Sequence, residues 1–256
     1  MRILVAGDLH MSTTHTRWVV QRAVDLDIGH ILQVGDFGFW THERRGVRFL
    51  DQLGRLLTRT GRTMTVVRGN HDNVEPIHRL YGHDRDQAGF INVCPGLKLA
   101  PDCLVWTWGG RRFLALGGAY SPDKAYRLQW EEVTGPGTHW FPGEEMTTAE
   151  MEAAVRAAAP GVAVIVAHDR PASARLDQPP LSDPGLVTNP RNLANAIHEL
   201  KPLVYVHGHM HYRYDDKILH GDGGWTRVVG ISSDPGTSDS GNPEDSVYVL
   251  DTDDLL

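Results

Sequence analysis

Five short apolar runs, each followed at once by a cluster of polar residues, constrain this chain more than any other feature. The runs at 3–6, 31–34, 64–67, 162–167 and 203–206 are four to six residues long and rich in valine and isoleucine. They are too short for helices and suit strands buried on both faces. They lead into Gly7-Asp8-Leu9-His10, Gly35-Asp36, Gly69-Asn70-His71-Asp72, His168-Asp169 and His207-Gly208-His209-Met210-His211. Ligands bind at the carboxyl ends of strands in open α/β sheets. One Asp or Asn after a strand is a turn former or a helix N-cap. Five clusters in succession, four of them with histidine, exceed what turn chemistry asks for. The glycines before Asp8, Asp36, Asn70 and His209 suit a backbone that turns tightly and carries a ligand inward.

Helical periodicity appears at 18–26 and in Val47, Leu50, Leu53 and Leu57. Thr147-x-x-Glu150 forms a capping box ahead of an alanine-rich stretch that Pro160 ends. The segment 103–116 reads as a hairpin turning at Gly109-Gly110. Strands without intervening helices are expected at 212–219, 226–231 and 246–250. Pro/Gly-rich stretches at 134–143, 171–190 and 233–243 read as surface loops. The mixture of βα units and antiparallel strands predicts two mixed sheets face to face with helices outside. Residues 1–256 are expected to form one domain.

The residue types indicate what binds. Asp8, His10, Asp36, Asn70, His168, His209 and His211 offer two carboxylates, an amide oxygen and four imidazoles, with no thiolate. That set suits borderline-to-hard divalent ions, manganese first, with iron, zinc, magnesium, nickel or cobalt as alternatives. Seven ligands are too many for one tetrahedral ion and suit two ions that share a carboxylate. Paired ions clamp the attacking and leaving oxygens of an in-line displacement, which fits phosphate esters.

Composition narrows the classes. The net charge of −7 argues against sequence-independent grip on duplex nucleic acid. Two cysteines are too few for a disulfide framework. The first ten residues lack the pattern of a signal peptide, and the longest apolar run is far below the ~20 residues of a membrane span. A cytoplasmic location is expected, with no membrane partner.

The clusters, in this order across residues 8–211, resemble the five motifs of the calcineurin-like metallophosphoesterases. The resemblance implies a four-layer α-β-β-α sandwich with a dinuclear centre. Asp8, His10 and His211 would hold one metal, and Asn70, His168 and His209 the other, with Asp36 bridging them. A metal-bridging hydroxide would attack phosphorus, and His71 would protonate the leaving oxygen as general acid. The stretch 117–123 with Trp140-Phe141-Pro142 resembles a bacterial and phage branch of the family. In the serine/threonine protein phosphatases the second motif continues with an Asp and an Arg. Here it reads Asp36-Phe37-Gly38-Phe39-Trp40.

Without that arginine clamp, Phe39 and Trp40 read as an apolar wall on which one arm of a phosphodiester, such as a nucleobase, would lie. Trp40 and Arg68 are therefore the candidate substrate-binding residues, and His42 and Arg44 lie close enough in sequence to contribute. A small phosphodiester or nucleotide is the favoured substrate. A phosphomonoesterase, or a metal-binding scaffold without catalysis, is the alternative. Of the other residues, Trp18 and Trp225 read as core, His207 as a backing residue, and His15 and His220 as solvent-facing or loop residues.

Overall fold

A computed structural model of the chain describes residues 1–41, 43–175 and 185–255. His42, and the stretch 176–184 inside the proline-rich segment, lie outside the described residues. In chain order the first half runs β1 (Arg2–Ala6), α1 (Thr13–Asp25), β2 (His30–Gln33), α2 (Arg44–Thr60), β3 (Thr63–Val67), α3 (Glu75–Tyr81), β4 (Ile91–Cys94), β5 (Leu97–Ala100), β6 (Val105–Trp108) and β7 (Arg111–Leu116). The second half runs α4 (Lys124–Thr134), α5 (Thr148–Ala158), β8 (Val162–Ala167), α6 (Gly185–Leu200), β9 (Val204–His207), β10 (Tyr214–Leu219), β11 (Trp225–Gly230) and β12 (Val247–Asp251).

The strands form two six-stranded sheets, in the orders β12-β1-β2-β3-β5-β4 and β10-β11-β9-β8-β7-β6. In each, four parallel strands are flanked on both sides by an antiparallel one. The alternation of side chains builds four layers. Ile3, Val5, Leu32, Val34 and Val67 face Phe113, Val164, Val166, Val206 and Val229 between the sheets. Leu4, Ala6 and Ile31 point the other way, onto Val19, Val20 and Ala23 of α1 and Leu53 and Leu57 of α2. Leu114, Ile165 and Tyr205 do the same against Met151, Ala154 and Val155 of α5 and Leu193 and Ile197 of α6. This is the expected α-β-β-α sandwich, and it explains why the first five runs carry apolar residues on both faces.

The strong local signals give the structures they predict. Gly109 and Gly110 have φ of 54° and 75°, the left-handed pair that a two-residue hairpin turn demands. Thr147 and Glu150 form both halves of the capping box on α5. Several elements differ from expectation. The β4–β5 hairpin, α3, α4 and α6 are elements beyond those the sequence predicts, and α6 begins inside the stretch expected to be loop. The helix α4 buries only Arg127, so no apolar stripe marks it. Trp18 is half-buried, whereas Trp225 is 46% exposed on β11 beneath the Lys217 ammonium, which stands 4.4 Å from its ring. His15 and His220 are buried, bonded through Nε2 to Ser246 Oγ at 2.9 Å and Thr226 Oγ1 at 2.9 Å. Each spends its polarity on a hydroxyl, Ser246 in the turn before β12 or Thr226 on β11.

Candidate metal centre

All eight parallel strands bring their carboxyl ends to one edge of the sandwich. Loops after β1, β2 and β3 supply Asp8, His10, Asp36, Asn70 and His71 from the first sheet. Loops after β8 and β9 supply His168, His209 and His211 from the second. Two groups of three side chains result, each with ligand atoms within 4.8 Å of one another: Asp8, His10 and His211, and Asp36, His168 and His209. Asp36, a member of the second group, also reaches the first. Its Oδ2 is 3.4 Å from His10 Nε2, and its Oδ1 is 3.3 Å from His168 Nε2. Asp8 Oδ2 lies 3.2 Å from His211 Nε2. Asn70 Oδ1 is 3.0 Å from His168 Nε2, while its amide N–H donates to Ser121 Oγ at 2.9 Å.

The backbone is bent to allow this. His10, Asp36, His209 and His211 have φ of 43°, 53°, 67° and 57°, a region that side chains seldom adopt. Such strain persists only where surrounding structure over-determines it, and it concentrates at functional sites. A Cβ on Gly208 would stand 2.2 Å from Asp8 Oδ1, so only glycine lets the His209 loop close over that carboxylate. The His209 N–H then donates to Asp8 Oδ1 at 3.1 Å.

Ring orientation is set from behind. His168 Nδ1 faces the Val34 carbonyl at 2.8 Å and His211 Nδ1 the Thr237 carbonyl at 3.2 Å, which turns both Nε2 atoms toward the carboxylates. Burial pushes the His10 and His168 imidazoles down, but the charge and hydrogen bonds of Asp36 outweigh it and lift them to about 9 and about 10. Asp36 itself is pushed up by burial and pulled further down by the imidazoles, ending well below the usual carboxylate range. Two buried carboxylates thus hold a strong demand for positive charge. His207, directly behind, is the backing residue expected. Burial lowers it to about 3, and its Nε2 meets the Tyr214 hydroxyl at 2.6 Å.

Around this cluster the other expected residues divide. His71 follows Asn70, donates its backbone N–H to Asp36 Oδ1 at 2.9 Å, and carries its ring 31% exposed with Nε2 4.0 Å from Asp36 Oδ2. The Trp40 indole N–H donates to the His71 carbonyl at 2.8 Å, and the Arg45 guanidinium lies 5.1 Å from its ring centre. Phe39 does not form a wall. It is fully buried against Phe37 in the layer beneath α2. Arg68 is no open phosphate clamp either. It is buried, and it donates to Asp102 Oδ2 at 2.6 Å and to the carbonyls of Gly143 and Glu144 at 2.8 Å each, bracing the 141–144 loop.

Two supports escaped the sequence. Asp72 collects the backbone N–H groups of Gly38 at 2.7 Å, Gly69 at 2.8 Å and Phe39 at 3.1 Å, tying the second motif to the third. Ser121 holds Asn70. The Gly-rich stretch around Ser121 stands out in the sequence only through the resemblance, since a serine in a turn carries no signal of its own.

A family model for calcineurin-like phosphoesterases matches residues 1–213. One solved structure superposes on 91% of this chain and 90% of its own with a TM-score of 0.58 at 14% identity. A Thermus thermophilus protein does so over 91% and 89% with a TM-score of 0.51 at 15% identity. A dimetal phosphatase from Danio rerio does so over 91% and 87% with a TM-score of 0.50 at 14% identity. At such identities the likeness is one of fold. No curated protein gives a match.

Proposed function

The chain belongs to the calcineurin-like phosphoesterase family and is a metal-dependent phosphoesterase; on that premise we propose a two-ion centre acting on small phosphodiesters, nucleotides included. Asp8, His10 and His211 would hold one divalent ion, Asn70, His168 and His209 the other, and Asp36 both, with manganese the first candidate. The observation that carries this is the meeting of six carboxylate and imidazole side chains, Asp36 among them, in two adjoining groups. The donor set fits such ions: hard oxygens and borderline imidazoles, with no sulfur. The buried Nδ1 of His10 has no hydrogen-bond partner among the described residues, so that ring is not committed to a protein acceptor on that side. Ions held there supply charge to the phosphoryl oxygens and acidify a water.

The chain's own residues do the rest. His71 stands beside the ligands without belonging to either group, so its ring can hand a proton to the leaving oxygen. Its backbone is clamped from two sides, by Asp36 and by the Trp40 indole, which keeps that ring in place. The preference for diesters rests on the arginines. Arg68, Arg127 and Arg170 are buried and already donate to Asp102, to Ser121 and to the Ala174 carbonyl. None stands ready to receive the second charge of a monoester.

Residues 1–256 are read as one domain because β12 pairs with β1 and completes the first sheet. Cys94 and Cys103 are free, which suits a cytoplasmic setting. Among the described residues no helix is long and apolar enough to cross a membrane. The test is the ratio of kcat/KM for matched diesters and monoesters, such as bis-aryl and aryl phosphate and cyclic and open nucleotides, with Mn-loaded protein. Diesters are expected to lead. A consistent monoester preference would overturn the substrate class.

A further inference from the structure

Behind Asn70 lies a buried polar group that the proposed chemistry does not use. Ser121 is fully buried, and Glu144 and Arg127 are nearly so. The Ser121 hydroxyl donates to Glu144 Oε2 at 2.5 Å. It accepts from Arg127 Nη1 at 2.7 Å and from the Asn70 amide at 2.9 Å. Its N–H also meets Glu144 Oε1 at 3.3 Å.

The polarity of this chain has one solution. A carboxylate only accepts, a guanidinium only donates, and a hydroxyl has one proton and two lone pairs. Glu144 takes the proton and Arg127 one lone pair, so the side of Ser121 that faces Asn70 can only accept. An amide turned the other way would set its oxygen against a lone pair. Its NH2 must therefore face Ser121 and its oxygen the cluster, where Asn70 Oδ1 lies 3.0 Å from His168 Nε2. Burying an arginine and a glutamate is costly and often not repaid in stability, and in some proteins such groups instead select one arrangement over another. Arg127 is also the single buried residue of α4, so that helix is moored through the same hydroxyl.

From this, and resting on the two-ion reading above, we infer that Ser121, polarised by Glu144 and Arg127, is a positioning residue that locks the Asn70 amide with its oxygen toward the metal. An asparagine needs such a lock, whereas an aspartate, with two equivalent oxygens, does not.

The experiment is a double-mutant cycle with Mn2+ as the probe. Binding is read from free Mn2+ by electron paramagnetic resonance, and folding is followed by Tm. Ser121→Ala is expected to weaken one of the two ions ~10–100-fold, the usual cost of losing a partner behind a ligand, and to leave the other within twofold. In an Asn70→Asp background the same substitution is expected to cost less than about twofold, because no amide remains to be oriented. Unchanged affinities in Ser121→Ala would overturn the inference. So would an equal loss in both backgrounds, which would make Ser121 a packing residue. Wild-type protein binding fewer than two ions would overturn the two-ion reading, and this inference with it.

Discussion

Gly208→Ala isolates the steric logic of the centre. Gly208 does not have the positive φ that would penalise alanine, so the whole effect is contact. The new methyl would stand 2.2 Å from Asp8 Oδ1, where ordinary van der Waals contact begins at 3.4 Å. Either the carboxylate or the His209 loop must therefore retreat by about an ångström, breaking the contacts of Asp8 with the His209 N–H at 3.1 Å and His211 Nε2 at 3.2 Å. Overpacking of this kind costs ~1–3 kcal/mol of stability, which leaves a folded protein. A misplacement of ~1 Å in a reacting site costs ~10²-fold in rate. The expected result is a folded variant, Tm lowered by several degrees, with kcat/KM on bis-aryl phosphate down about 100-fold. Gly221→Ala, where a methyl would meet nothing within 4 Å, is the control and should match wild type. Activity of Gly208→Ala within threefold of wild type, measured with saturating Mn2+, would refute the claim that this glycine exists to admit Asp8.

Asp36→Asn should weaken both ions together, since its two oxygens face both groups; calorimetric loss of one ion alone would contradict the bridge. His71→Ala should lower kcat ~10²–10⁴-fold with both ions retained, and less for a nitrophenolate leaving group, which scarcely needs a proton. In chelated protein, His10 and His168 are expected to titrate well above their ordinary value, near 9 and 10, because Asp36 holds their protons. Their raised pKa values stabilise the fold fully below about pH 6.5, and that contribution is lost as pH climbs through 9 and 10. The urea midpoint of metal-free protein should therefore fall between pH 6.5 and 9, and no fall would remove those imidazoles from the influence of Asp36.

What the sequence by itself determined were the elements with a strong local signal. Runs of valine and isoleucine carry apolar groups on both sides, so they had to lie between two layers, and Asp8, Asp36, Asn70, His168 and His209 had to emerge at their ends. Gly109-Gly110 and Thr147-x-x-Glu150 likewise state their turn and cap within a few residues. The tertiary structure alone decided which partner each polar group would find. Arg68 reads in sequence as a spare cation, yet its partners lie 34 residues away at Asp102 and 76 away at Glu144. Phe39 and Trp225 carry similar apolar bulk, but one lies under α2 and the other on an exposed face of β11. Ser121 is silent in sequence because a hydroxyl takes its direction from neighbours, here a glutamate 23 residues on and an asparagine 51 back. Periodicity and turn chemistry act over a few bonds. The pairing of buried charges is settled only when the two sheets, one from β1–β5 with β12 and the other from β6–β11, close against each other and exclude the water that would otherwise have satisfied them.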